Sequence, residues 1–233
     1  MTGKPIIFSG EMVRAILDRR KTQTRRVMSF PKSYMWNHEH FKKDYAFSEM
    51  CFDLGKRYSA IFKKDKGGFT EWFPCPYGAP GERLWVREAW ASVFFESPSY
   101  ETGVCDDWYG LDPVPKTLQD AKDRGGWPLM YRADETGRSQ TPEDRGWTWR
   151  SPRFMPKWAS RIMLEVVSVR VERVQDITED EAKAEGISDE RFVDWMGNYL
   201  QAFEELWNSI NAKRGFPWEE NPWVWCVEFK RVT

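Results

Sequence analysis

From Ser9 the chain reads SGEMVRAIL, and Met12, Val13, Ile16 and Leu17 are spaced to form one apolar stripe of a short helix. Ser9 is placed to cap it. At 84–87 the pattern changes to alternation, with Leu84 and Val86 set against Trp85 and Arg87. That is the mark of a half-buried strand, and Gly81 before it suits a tight turn. The longest alternation is RIMLEVVSVRVERV, 161–174. Ile162, Leu164 and Val166 share one phase, and Val167, Val169 and Val171 continue in the other, which predicts a bulge or sharp bend between Val166 and Val167. TEDEAKAEG, 178–186, has both ends of a short helix: Thr178 and Glu181 form a capping box, and Gly186 suits the residue just past the C-terminus. A longer helix is expected over about 189–211, with Phe192, Trp195, Met196, Tyr199, Leu200, Phe203, Leu206, Trp207 and Ile210 on its core face. WVWCVEFKRV is apolar on both faces up to Glu228 and reads as a buried final strand.

Between these elements, residues of about 30–80 and 96–157 lack a clean period. Structureless stretches of that length are rare in a compact domain. They are therefore expected to be folded insertions with short elements of their own, such as PLMYRA at 128–133. Several short strands, one of them bent, with helices interspersed, predict a small curled sheet or β-barrel with flanking helices and two long insertions, an α+β fold in one domain over 1–233.

Composition narrows the function classes. Of 233 residues, 41% are hydrophobic and 30% charged, as in a soluble globular protein. There is no apolar run of the roughly 20 residues that span a bilayer, and the apolar stretch after Met1 is too short for a signal peptide. The expectation is a cytoplasmic protein with no membrane partner. A net charge of −1 argues against coating nucleic acid by bulk electrostatics but leaves room for a local basic groove. Cys51, Cys75, Cys105 and Cys226 are far apart and form no C-x-x-C, and the only histidines are His38 and His40. No metal site and no cofactor are expected from that spacing, only reduced thiols and surface histidines. The 14 Trp exceed what a core of this size requires, and Trp is a good stacking surface for a base.

The stretch RRKTQTRR, 19–26, holds five cations in eight residues. Part of it is accounted for by its place at a helix C-terminus, where positive charge offsets the dipole. It is also a candidate phosphate contact, with Arg19, Arg20, Arg25 and Arg26 facing nucleic acid and Arg83, Trp85 and Arg87 as groove neighbours. Taken with the TEDEAKAEG helix and the VEFKRV strand, the stretch resembles the ASCH domain, a relative of the PUA RNA-binding barrel. That family carries a G-x-K-x-x-E-x-R type motif after its first helix. Lys21 and Arg26 fit it, Arg19 replaces the glycine and Thr24 replaces the glutamate. Threonine at that place is the pattern of the bacterial N4-acetylcytidine amidohydrolases, a branch of the same family. Their late T-E-x-x-A-x-x-E segment is matched here by TEDEAKAE, which ends at Glu185. The resemblance covers about half the chain and implies a catalytic trio of Lys21, Thr24 and Glu185. The wider pattern, with KPI-F, PGERLWVREAW, YRAD, SPRFMPKWASRI and WVWCVEFKRV, is similar to a prophage branch of ASCH proteins.

The chemistry sets conditions. Threonine needs a base, and lysine serves as one only when neutral, which burial and neighbouring arginines favour. In a straight strand residues three apart face opposite sides, so catalysis predicts a non-strand backbone at 21–24. It also predicts Glu185 within hydrogen-bond reach of Lys21 or Thr24. Outside the resemblance, an ion pair between Lys21 and Glu185 alone would satisfy an acid at a helix C-terminus. The expected partner is RNA or a modified nucleoside, and amide hydrolysis of an N4-acylated cytidine is the leading reading. The alternative is a non-catalytic RNA- or nucleotide-binding module of phage origin. A ribonuclease or a protein-interaction accessory factor with Trp-rich anchors such as WTWRSP ranks lower.

Overall fold

The computed structural model describes residues 3–28, 45–52, 57–64, 70–96, 107–110, 115–123, 129–135, 148–187 and 198–232. His38, His40 and Cys105, together with Phe192, Trp195 and Met196 of the expected long helix, lie outside the described residues. The class is α+β. A five-stranded sheet has the order β1 (Lys4–Ile7), β6 (Arg83–Arg87), β10 (Met163–Arg173), β11 (Trp223–Arg231) and β2 (Gln23–Val27). Among the described residues β1 and β2 stay at its two edges, so of the curled sheet or barrel expected from the element pattern they form an open sheet, and the closed PUA-like barrel that the resemblance implies is not seen.

The stretches expected to be insertions do carry short elements. β3 (Tyr45–Phe52), β4 (Tyr58–Lys64) and β5 (Thr70–Pro74) make an antiparallel three-stranded sheet in the first. In the second, β8 (Asp107–Gly110) and β9 (Leu129–Tyr131) flank β7 (Trp90–Glu96), and α2 spans Leu118–Asp123. The chain divides into two compact units, one made of Asp18–Leu84 and Leu164–Val232 with the N-terminal residues up to Lys4, the other of Pro5–Leu17 and Trp85–Met163.

In the first unit, β11 lies between β10 and β2 and is antiparallel to both. Its residues Val224–Val227 are all buried, which is why its sequence is apolar on both faces. The β10 register shifts between Val166 and Ser168, where the bulge was expected, and Val167 is left exposed. The Thr178 side chain accepts from the Glu181 amide and the Glu181 side chain returns to Thr178, so α3 (Glu179–Ala184) carries its capping box. Gly186 follows with φ +90°, a left-handed conformation that glycine takes without strain. α4 spans Tyr199–Asn211 and is capped by Asn198. Phe203 and Trp207 of α4 pack with Ile177 and Ala182, whereas Ile210, placed on the core face by its spacing, is exposed.

In the second unit, α1 (Gly10–Leu17) buries Val13, Ala15 and Ile16, and Ser9 Oγ accepts from the Met12 amide at 3.4 Å. Trp90, Met155 and Ala159 form a separate apolar cluster with Trp158 and Tyr131 at its margin. No helix among the described residues is long and apolar enough to cross a membrane.

Candidate functional site

The site belongs to the first unit and is built by backbone pairing. Arg19 takes a positive φ of 62° and turns the chain after Asp18. Lys21 then forms an isolated antiparallel bridge with Glu185, the residue that closes α3. Thr22 fixes the crossing from both sides: its amide donates to the Ala184 carbonyl at 2.9 Å, and its carbonyl accepts from the Phe229 amide of β11 at 2.8 Å. β2 begins at Gln23. Lys21 and Thr22 are thus outside the ladder, but Gln23 and Thr24 are ordinary strand residues paired with Glu228 and Val227, so the non-strand backbone that catalysis predicted over 21–24 is found only at 21–22.

Lys21 Nζ donates to Glu185 Oε2 at 2.7 Å and to the Glu185 backbone carbonyl at 2.7 Å. Both side chains are buried, with 0% and 4% exposure. Burial lowers the Lys21 pKa from the usual lysine value; the Glu185 charge and hydrogen bond oppose this, and the charges of Arg26 and Arg25 add to it. The sequence argument for a lowered amine thus holds in direction, though desolvation is the larger cause. Thr24 is also buried, at 2% exposure.

Glu185 is shared. Its other oxygen, Oε1, lies 3.6 Å from Arg25 Nη1 and has no hydrogen-bond partner among the described residues. The Arg25 side chain is fully buried, and its Nη2 donates to Glu172 at 2.9 Å and Glu181 at 3.0 Å. Behind these acids, Arg170 pairs with Glu172, Glu181 and Glu228, and its Nη2 also donates to Gln23 Oε1 at 3.1 Å. A charged chain therefore runs from Lys21 through Glu185 and Arg25 to the acids of β10 and α3. Arg25 also stands 6.0 Å from the Phe203 ring centroid.

No protein-family model, no curated protein and no solved structure matches this chain.

The remaining sequence candidates fall in different places. Arg25 is turned inward, with its charge met by three carboxylates rather than offered to phosphate. Arg26 is half-buried, and burial lowers its pKa, opposed by the nearby Tyr77 and Glu185 and assisted by Arg214. Arg19 and Arg20 are exposed; Arg20 pairs with Asp18 at 3.1 Å and donates to the Gly186 carbonyl at 3.1 Å. Arg83 is half-buried in the first unit. Trp85 and Arg87 fall in the second unit, where Arg87 lies over the buried Trp85 ring at 4.6 Å. Sequence reasoning missed Arg170, Glu172 and Glu181 as neighbours of the site. A signal existed, because Ser168, Arg170 and Glu172 hold one phase of β10 while Val167, Val169 and Val171 hold the other.

Proposed function

We propose that the chain is an ASCH-type amidohydrolase, with a PUA-like kinship of fold, acting on an N4-acylated cytidine through Lys21, Thr24 and Glu185. The observation that carries this reading is the buried 2.7 Å contact of Lys21 Nζ with Glu185 Oε2, made between residues 164 apart in sequence. These are two of the three positions that the resemblance implies. A desolvated lysine amine held below its usual pKa is the kind of base a threonine needs.

In this reading neutral Lys21 takes the Thr24 hydroxyl proton as Oγ1 adds to the acyl carbonyl carbon. The proton passes through Glu185 to the departing N4, and the C–N4 bond breaks to leave an acyl-threonine. Water, deprotonated in turn by Lys21, adds to that ester; the C–Oγ1 bond breaks, Lys21 returns the proton to Thr24 Oγ1, and the carboxylic acid leaves. Trp and Tyr side chains supply stacking faces for the base.

The test is incubation with N4-acetylcytidine and chromatography for cytidine. Wild-type protein is expected to release cytidine, and Lys21→Arg and Thr24→Val to lower turnover about 10²–10⁴-fold. No cytidine from wild type, or unchanged turnover in Lys21→Arg, overturns the reading. RNA binding that weakens steeply with salt, without turnover, would point instead to the non-catalytic module.

A further inference from the structure

We propose that Arg25 is a positioning residue of the Lys21–Glu185 site: anchored by Glu172 and Glu181, it engages the second oxygen of Glu185 and sets how that carboxylate divides between arginine and lysine. The inference rests on the reading of Lys21 and Glu185 as the working pair, and it concerns a residue outside the trio.

The geometry is specific. Glu185 directs Oε2 to Lys21 Nζ at 2.7 Å and Oε1 toward Arg25 Nη1 at 3.6 Å. The second distance is an ion pair without a hydrogen bond, so Arg25 attracts the carboxylate and does not capture it. Arg25 is kept from closing by its own anchors, since Nη2 is held by Glu172 at 2.9 Å and Glu181 at 3.0 Å. Among the described residues its Nε and Nη1 have no hydrogen-bond partner, although the side chain is fully buried. Loss of an anchor would let the guanidinium close on that oxygen, and loss of the guanidinium would leave the oxygen to Lys21.

The charges around Arg25 are Glu172 and Arg170 from β10, Glu181 and Glu185 from α3 and its end, and Lys21 and Arg26 from its own segment. Cys226, its register partner on β11, is buried, and burial pushes its thiol well above the usual range, so it stays neutral. Removing the Arg25 charge leaves Glu185 wholly to Lys21 and favours the ammonium. Removing the Glu172 charge frees Arg25 to draw on Glu185 and disfavours it. The two changes therefore act on Lys21 with opposite sign.

The experiment is NMR titration of the Lys21 side chain in the full chain labelled at lysine, with the resonance assigned by its loss in Lys21→Arg. Arg25→Gln is expected to raise the Lys21 midpoint by roughly one pH unit, and Glu172→Gln to lower it. The ascending, acid-side limb of N4-acetylcytidine hydrolysis, where Lys21 gives up its proton to become the base, should move with the midpoint in each variant. If Arg25→Gln does not fold, Glu172→Gln and Glu181→Gln carry the test, and both must lower the midpoint. An unmoved midpoint, or shifts of one sign in Arg25→Gln and Glu172→Gln, overturns the proposal. Opposite shifts in a wild type that releases no cytidine support the Arg25 role and remove the hydrolase reading instead.

Discussion

Lys21 has its whole side chain out of water, and its ammonium form is held by one carboxylate and one carbonyl. Replacing it with an apolar residue strands Glu185 in the interior next to a guanidinium 3.6 Å away. Breaking a buried pair from one side costs about 3–5 kcal/mol. Lys21→Met is therefore expected to lose stability of that order in urea unfolding, with the loss reduced when Glu185→Leu is added. Residue types in RRKTQTRR show the density of charge but not its partners. A run of arginines suggests a solvated face, yet β2 pairs with β11 and turns Arg25 inward onto acids that lie 147 and 156 residues away. The pairing of Lys21 with Glu185 was reached through the family resemblance, because no local rule joins residues so far apart.

At the level of elements, α3 has two duties. Its capping box ties Thr178 to Glu181, and the same Glu181 carboxylate receives Arg25 and Arg170. Burial pushes the Glu181 carboxyl up, but the Thr178 amide, Arg25, Arg170 and the Thr178 hydroxyl outweigh it and leave the value below the usual 4.5. The unfolded chain therefore takes up this proton first as pH falls. The stabilisation is whole above the ordinary carboxylate range and is lost as pH drops through the folded value. Glu181→Gln should accordingly flatten the acid limb of stability against pH, as measured by urea midpoints from neutral pH down to the acid transition. The cap, the β10 bulge and the buried last strand were legible in sequence because each depends on spacing within a few residues. The N-terminal part of the expected long helix lies outside the described residues, and the exposure of Ile210 was not legible, since neighbours in space decide which part of an apolar stripe is covered.

Over the whole molecule, the second unit has its own charged centre. Arg161 makes two hydrogen bonds to Glu88, at 2.9 and 3.0 Å, and two to Asp134, at 2.7 and 2.8 Å. It also lies 4.0 Å over the Tyr131 ring, and Tyr131 donates to the Ala159 carbonyl at 2.8 Å. Three of the motifs noted in the sequence, VREAW, YRAD and MPKWASRI, thus meet at one guanidinium. Glu88 is 1% exposed, and burial raises its pKa against the pull of Arg161. Arg161→Met is expected to cost about 3–5 kcal/mol of local stability, since it leaves that carboxylate buried without its partner. Hydrogen exchange should register the change as lost amide protection at 129–135 and 157–162. Sequence order alone gave no access to this centre or to the β1-β6-β10-β11-β2 arrangement, because both are assembled from segments distant along the chain.

The bridge between Lys21 and Glu185 also has a meaning in time. Thr22 is pinned on one side by Ala184 and on the other by Phe229, so this crossing needs α3 and β11 in place together. Contacts of such long sequence separation form late, after the entropy of closing the intervening loop has been met. The lysine therefore stays in water until β11 has joined the sheet and α3 has closed on it. Sequestering the lysine amine is thus a late event of folding, gated by the meeting of a helix end and a strand that lie far from it along the chain.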